Sequence, residues 1–347
     1  MHLLSEDPCM RVRNQNDIIL SCTLLLVILL PKLAIGEEPP LLSIAAEKAR
    51  QATVGVLSPE DARSTISGPA PFSVRGSGIH IGQGYILTAR HAIEHQKGGQ
   101  TLAAETIQVI TENLHELTAT FIGLNEFLDV ALYRIPKNIL PDILGQASFA
   151  ASEPYSGDEV FTVGYPLGWG PALSFGRIGN PQTFLTTIQS RLLQVDLSAC
   201  SGNSGGGLFN TNGEIVGVVH AIIQTEHMQG ERRCSRFAFA VPGLVVKKIV
   251  QSLIQGHPVK FSTLGISLHV VKQDRHWAIA VKNATGPARR AGFKKGDILL
   301  AINHHPIHTA AQLKNYLIEH TQPTQHITMT ILRDQETLTL NVILGES

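Results

Sequence analysis

Short apolar runs separated by Gly, Pro, Asn and Asp recur along this chain from Ala45 onward. They include Gly78–Ile81, Tyr85–Thr88, Ile107–Thr111, Val130–Ile135, Val160–Val163, Leu192–Leu197 and Ile215–His220. Strands this short and this frequent build an all-β barrel or sandwich. Two stretches break the pattern. Leu244–Ile254 has helical spacing and stops at Gly256, and Ala310–His320 reads as a second helix. Gly256-His257-Pro258 then opens a linker. The spacing divides the chain into a unit over 37–255, a linker over 256–261 and a small separate domain over 262–347.

Residues 1–36 read as a targeting segment. Arg11 and Arg13 precede an apolar run over Ile18–Leu30, and Ala34-Ile35-Gly36 supplies the small residues of a secretory cleavage site. The run is shorter than the ~20 residues that a membrane span needs. The alternative is an uncleaved signal anchor extended through Leu33 and Ile35. Either way the folded part lies outside the cytosol: in a bacterium, periplasmic, soluble or tethered. A disulfide can persist there. Four Cys are too few for a disulfide framework but enough for one bridge. Lys plus Arg and Asp plus Glu both number 28, so the net charge is zero and no nucleic-acid partner is expected. The 43% hydrophobic and 16% charged composition excludes a disordered chain.

Three local patterns carry the chemistry. The first is Gly76-Ser77-Gly78 followed by Leu87-Thr88-Ala89-Arg90-His91-Ala92. The second is Leu128-Asp129-Val130-Ala131-Leu132. The third is Cys200-Ser201-Gly202-Asn203-Ser204-Gly205-Gly206. A lone Ser between glycines is usually a loop residue, and a lone His after a strand is usually a surface or capping residue. Asp129 is harder to set aside, because an unpartnered carboxylate inside an apolar strand is costly. In the order His, Asp, Ser the three patterns resemble trypsin-like serine proteases. Asn203 stands where digestive enzymes carry Asp, and Gly-Asn-Ser-Gly-Gly is the form of the HtrA/Deg family. Gly213-Glu214-Ile215-Val216-Gly217 and Phe237-Ala238-Phe239-Ala240-Val241-Pro242 are similar to that family too. The resemblance covers about 45–345.

This resemblance implies a mainly β fold, with a trypsin-like double β-barrel followed by a small α+β PDZ domain. It implies a serine endopeptidase that cuts unfolded or misfolded envelope proteins through an acyl-enzyme and needs no cofactor. It also implies a trimer, although no sequence arithmetic shows an oligomer. A membrane-tethered regulatory protease sensing C-terminal peptides is one alternative. A chaperone or binding scaffold with a normally inactive protease is another. The residue chemistry suits the first assignment. Ser204 needs a base to take its proton, and an imidazole such as His91 titrates near neutrality. Asp129 would fix the imidazole tautomer. The N–H groups of Gly202 and Ser204 would form the oxyanion hole. Asp142 and Asp158 follow turn residues, and Asp196 is expected to line the approach to the Ser204 loop.

His91-Ala92-Ile93-Glu94-His95 also fits H-x-x-E-H, the zinc pattern of inverzincins. That reading leaves the Gly-Asn-Ser-Gly-Gly loop unexplained. His95 is therefore expected on a helix surface, and His304, His305 and His308 are expected to be solvated around the turn at Pro306; no metal is assigned.

Further expectations follow from the resemblance. Ser198, six positions before Ser204, lies where the base of the S1 pocket would be, with His220, Ala221 and Ile222 along the substrate-pairing segment. Ser198 argues against a Lys or Arg preference, and Ile222 would narrow the slot for small or medium aliphatic residues. His220 replaces the Ser or Asn expected there, and would either touch Asp129 or pack at the rim. Cys9 and Cys22 lie in the targeting segment. In the trypsin-like fold Cys200 and Cys234 fall on adjacent pocket walls, which implies a bridge; two free thiols are the alternative. Ser262-Thr263-Leu264-Gly265-Ile266-Ser267 is similar to a PDZ carboxylate-binding loop, with Leu264, Gly265 and Ile266 receiving the C-terminus of a peptide. Ala310, Leu313 and Leu317 would face that peptide, unless the two leucines are core.

Overall fold

The computed structural model describes residues 41–57, 74–97, 99–139, 144–184, 191–222, 234–257, 259–273 and 275–346. The targeting segment expected over 1–36, with Cys9 and Cys22, lies outside them, as does Asp142.

Helix α1 (Leu41–Gln51) precedes β1 (Thr53–Leu57), β2 (Val74–His80), β3 (Tyr85–Ala89), β4 (Glu94–Lys97), β5 (Gln100–Ala103), β6 (Thr106–Ile110), β7 (Glu116–Asn125) and β8 (Val130–Arg134). Six of these close into a barrel in the order β1-β2-β3-β8-β7-β6, and β4 and β5 form a separate hairpin. The second set is β9 (Glu159–Gly164), β10 (Ala172–Phe184), β11 (Arg191–Asp196), β12 (Ala199–Cys200), β13 (Gly207–Asn210), β14 (Ile215–Ile222), β15 (Cys234–Ser235) and β16 (Ala238–Pro242). It closes in the order β10-β11-β16-β14-β13-β9, with β12 and β15 paired outside the barrel. Helix α2 (Gly243–Ile254) follows.

Alternation along the strands explains how the barrels pack. In β8, Ala131 and Tyr133 point into the first barrel with Val54, Ile86 and Val109. Val130 and Leu132 point the other way, into a core shared with Phe161, Val163 and Phe209 of the second barrel and with Val246 and Ile249 of α2. A strand buried on both faces reads as an unbroken apolar run, which is what Val130–Ile135 is. Each buried Val, Leu, Ile or Phe among these contributes roughly 1.5–3 kcal/mol by leaving water.

The C-terminal unit holds β17 (Ser262–Thr263), β18 (Ile266–Gln273), β19 (His276–Ala284), α3 (Gly286–Arg290), β20 (Ile298–Ile302), β21 (His305–Pro306), α4 (Ala310–His320), β22 (His326–Arg333), β23 (Glu336–Ile343) and β24 (Gly345–Glu346). Its sheet runs β18-β19-β20-β22-β23, so β18 is an edge strand. A capping box starts α4: Thr309 Oγ1 accepts from the Gln312 N–H at 3.1 Å, and Gln312 Oε1 accepts from the Thr309 N–H at 3.2 Å.

The structure departs from the sequence expectations in several places. Helix α1 buries only Ala45, Ala46 and Ala49, so its inward face carries little hydrophobic signal. Strand β10 contains Gly176, Gly179 and Pro181 and its pairing with β11 shifts register twice, so no apolar run marks it. His95 is not on a helix: a single 3-10 turn, Arg90–Ala92, passes directly into β4, where His95 pairs with Leu102. As expected, by contrast, His304, His305 and His308 are exposed around Pro306. Leu313 and Leu317 both lie in the C-terminal core with Leu264 and Ile302, so helical spacing there marks packing.

Candidate active site

Pairing of β3 with β8 sets Ala89 opposite Val130, and the ladder continues one step as the Arg90 N–H donates to Asp129 O at 3.0 Å. His91 and Asp129 are therefore brought together by two strand ends. The His91 N–H donates to Asp129 Oδ1 at 2.9 Å, and His91 Nδ1 lies 2.6 Å from Asp129 Oδ2. Asp129 adopts φ of 56°, a left-handed conformation tolerated by Asp that turns the carboxylate back toward the His91 strand end.

Burial alone would push the Asp129 carboxyl up. Hydrogen bonds from His220 and His91 outweigh it and hold the group far below the usual carboxylate range. Burial likewise pulls the His91 imidazole down, but the hydrogen bond and charge of Asp129 prevail and the net shift is upward. An ionised carboxylate can only accept, so His91 Nδ1 carries the proton and Nε2 keeps its lone pair.

Ser204 sits on the second barrel, in the turn before β13. Gly202 has φ of 102°, and a Cβ there would stand 2.3 Å from Tyr165 O. Backbone bonds engage the N–H groups of Asn203, Gly205 and Gly206, which donate to Cys200 O, Val219 O and Asn203 O. The N–H groups of Gly202 and Ser204 are not among these bonds. Ser204 Oγ donates to His220 O at 3.2 Å. Cys200 and Cys234 are directly opposite on β12 and β15 and are joined by a disulfide.

Ser77 is a residue whose role the sequence did not suggest. Its hydroxyl donates to Gly202 O at 2.6 Å and accepts from the Tyr165 N–H at 2.8 Å, while its N–H donates to Ser204 O at 2.7 Å. One side chain of the first barrel thus pins the Ser204 turn of the second.

The other expected positions are scattered. Ser198 is exposed just before β12. The side chains of Ala221 and Ile222 lie outside the described residues. His220 does reach Asp129: its Nδ1 is 2.6 Å from Oδ2. Asp196 forms an exposed ion pair with Arg236 at 2.9 Å. Asp158 caps a turn by accepting from the Tyr155 N–H at 2.8 Å. Among the described residues, His91, Asp129 and His220 form the one cluster of three metal-competent groups, with their atoms within 4.8 Å of one another. Both imidazoles donate to the carboxylate, which is hydrogen-bonding chemistry.

In the C-terminal unit Gly265 has φ of 77°, and a Cβ there would meet Thr285 O at 2.5 Å. The Thr285 and Ala288 N–H groups donate to Gly265 O and Leu264 O. Edge strand β18 and the start of α4 flank a groove of about 220 Å³ that is lined by Leu268, Val270, Trp277, Ile279, His308 and Ala310.

Comparison with known proteins matches residues 76–218 to the trypsin-like peptidase domain and residues 262–344 to the PDZ domain. The periplasmic pH-dependent serine endoprotease DegQ of Escherichia coli is 30% identical over 294 residues, covering 80% of this chain and 60% of that protein. Serine endoprotease DegS of Salmonella typhimurium is 28% identical over 330 residues, covering 89% and 87%. The chain belongs to the HtrA/Deg family of serine proteases.

The fold of this HtrA/Deg chain matches that of the HtrA-type protease AlgW solved with a tripeptide, with a TM-score of 0.69 at 22% identity, covering 89% of this chain and 98% of that one. The crystal structure of the serine endoprotease from Yersinia pestis matches with a TM-score of 0.60 at 26% identity, covering 90% and 100%. The chain spans little more than half the length of several curated HtrA/Deg relatives, among them a probable periplasmic DegP-like endoprotease of Chlamydia trachomatis at 54%. No helix among the described residues is long and apolar enough to cross a membrane.

Proposed function

We propose that this chain is a serine endopeptidase that cuts unfolded or misfolded polypeptides through an acyl-enzyme, outside the cytosol, with Ser204, His91 and Asp129 as its triad. The observation that carries this is the 2.6 Å contact of His91 Nδ1 with Asp129 Oδ2, which leaves Nε2 free to act as a base; Gly76, whose Cβ would stand 2.7 Å from Ala92 Cβ and 2.8 Å from Ser204 O, supports the approach of the His91 segment to the Ser204 turn. Ser204 Oγ attacks the scissile carbonyl carbon as His91 Nε2 takes its proton. The Gly202 and Ser204 N–H groups receive the oxyanion. His91 then returns the proton to the leaving amine, and water hydrolyses the ester by the same route. Ser204→Ala and His91→Ala should keep the fold while kcat falls ~10⁴-fold or more. Casein digestion by Ser204→Ala at the wild-type rate would end this assignment.

The PDZ domain is proposed to bind apolar C-terminal peptides along β18, with the carboxylate at Leu264, Gly265 and Ile266. An exposed strand edge and the sharp turn at Gly265 support this. Amidating the peptide C-terminus should weaken binding about tenfold or more, because a charge-assisted hydrogen bond is lost; equal affinities in a fluorescence titration would exclude the site. A homotrimer is proposed from the family, and the mass in solution reads it directly.

A binding scaffold whose protease rests switched off is the second candidate. The bond from Ser204 Oγ to His220 O favours it, since that bond must break before attack. Casein cleavage by pure protein without any added peptide would exclude it.

A further inference from the structure

His220 touches two of the three residues assigned to the reaction. Its Nδ1 lies 2.6 Å from Asp129 Oδ2, the same oxygen that His91 Nδ1 approaches at 2.6 Å. Its carbonyl oxygen accepts from Ser204 Oγ at 3.2 Å. The two imidazoles stand edge to face, with centroids 5.7 Å apart. The backbone is arranged for this contact. Pairing of β14 with β16 shifts register between Val219 and Ala221, so His220 is the extra residue of a bulge. Bulges re-aim a side chain out of the pleat. Here the side chain is turned onto Asp129 and is only 13% exposed.

We propose that His220 is a positioning residue of the triad, an acid-responsive second imidazole that shares the Asp129 carboxylate with His91. This inference rests on the serine-protease assignment above. While neutral, His220 donates one N–H to Oδ2 and so occupies part of the charge that would otherwise hold the His91 proton. Once protonated, His220 places a cation beside the imidazolium that His91 must become during attack. One carboxylate then serves two cations, and acylation is blocked. Loss of activity in acid therefore reflects the charge that both imidazoles place around one carboxylate.

Few other charges bear on His220. Strands β3, β13 and β16, which flank β14, carry no carboxylate, imidazole, ammonium or guanidinium group. Helix α2 carries Lys247 and Lys248, but its start packs against Ile215 and Val216, at the far end of β14. On the His91 side, Glu94 adds negative charge and is itself paired with Arg90 at 2.6 Å, and Arg90 also approaches Glu126 at 3.7 Å.

The test is the acid limb of log kcat/KM against pH on the full chain. The wild-type limb should steepen from slope one to slope two as pH falls. His220→Asn keeps a donor in place of Nδ1 but carries no ionisable proton; its acid limb should have slope one throughout. His220→Ala removes the competing donor, so Asp129 holds the His91 proton more tightly. Its midpoint should move up by about half to one pH unit. A merely structural His220 would lower kcat in both variants and leave the midpoint and slope unchanged. Proton NMR of Ser204→Ala protein supplies a readout that needs no catalysis: two downfield Nδ1–H signals, of which His220→Ala in that background removes one. A wild-type slope of one, or a single downfield signal, overturns the role of His220. Digestion by Ser204→Ala would instead overturn the serine-protease assignment.

Discussion

Ser77 carries three hydrogen bonds across the interface of the two barrels, and its hydroxyl carries two of them. Ser77→Ala leaves Gly202 O and the Tyr165 N–H unpaired in a fully buried place, which costs about 1–3 kcal/mol. Gly202 O belongs to the same turn as the N–H assigned to the oxyanion, so kcat should fall about ten- to a hundredfold with KM little changed. Steady-state kinetics beside urea unfolding checks both parts; a stability loss with unchanged kcat would confine Ser77 to scaffolding. His91, Asp129 and Ser204 were legible because each stands in a local motif. Ser77 stood in a motif too, but its partners Tyr165 and Gly202 lie 88 and 125 residues away, and no local pattern announces such a bond. For His220 the sequence left two options, contact with Asp129 or packing at the rim, and the bulge in β14 decides it.

At the scale of elements, β12 and β15 are two-residue strands with a single cross-strand disulfide between them, four positions before Ser204. Strands this short have little ladder of their own, so the covalent link fixes the start of the Ser204 turn. The loop it closes has a sequence separation of 34, and closing it should stabilise the fold by roughly 3–4 kcal/mol through chain entropy. Reduction, or the Cys200→Ser/Cys234→Ser pair, should lower kcat severalfold and the first melting transition by several degrees. The PDZ transition should not move; calorimetry in both redox states checks this. Strands such as β3, β8 and β14 were legible because burial on both faces forces an apolar run. Strand β10 and helix α1 were hidden for opposite reasons: glycines and a proline interrupt one, and alanines make the buried face of the other.

Across the whole molecule, Arg191 at the start of β11 is 4% exposed and binds Glu319 of α4 at 2.6 Å and Glu153 at 2.9 Å, with Pro181 O as a further acceptor. The Lys248 ammonium of α2 donates to Glu319 O, and Phe127 meets Phe261 edge to face. Glu319 thus ties the PDZ helix to the second barrel and to α2. Glu319→Ala leaves Arg191 buried with one carboxylate fewer, and should cost about 3 kcal/mol. The PDZ transition should then fall by several degrees relative to that of the barrels in calorimetry; an unchanged thermogram would mean that Glu153 alone satisfies Arg191. The division of labour between the barrels has a consequence for a chain still being made. His91 and Asp129 belong to the first barrel, while Ser204, its turn and His220 are still to come. On the triad proposed above, a nascent chain, or one cut short before Ser204, therefore lacks its nucleophile and cannot cut its neighbours.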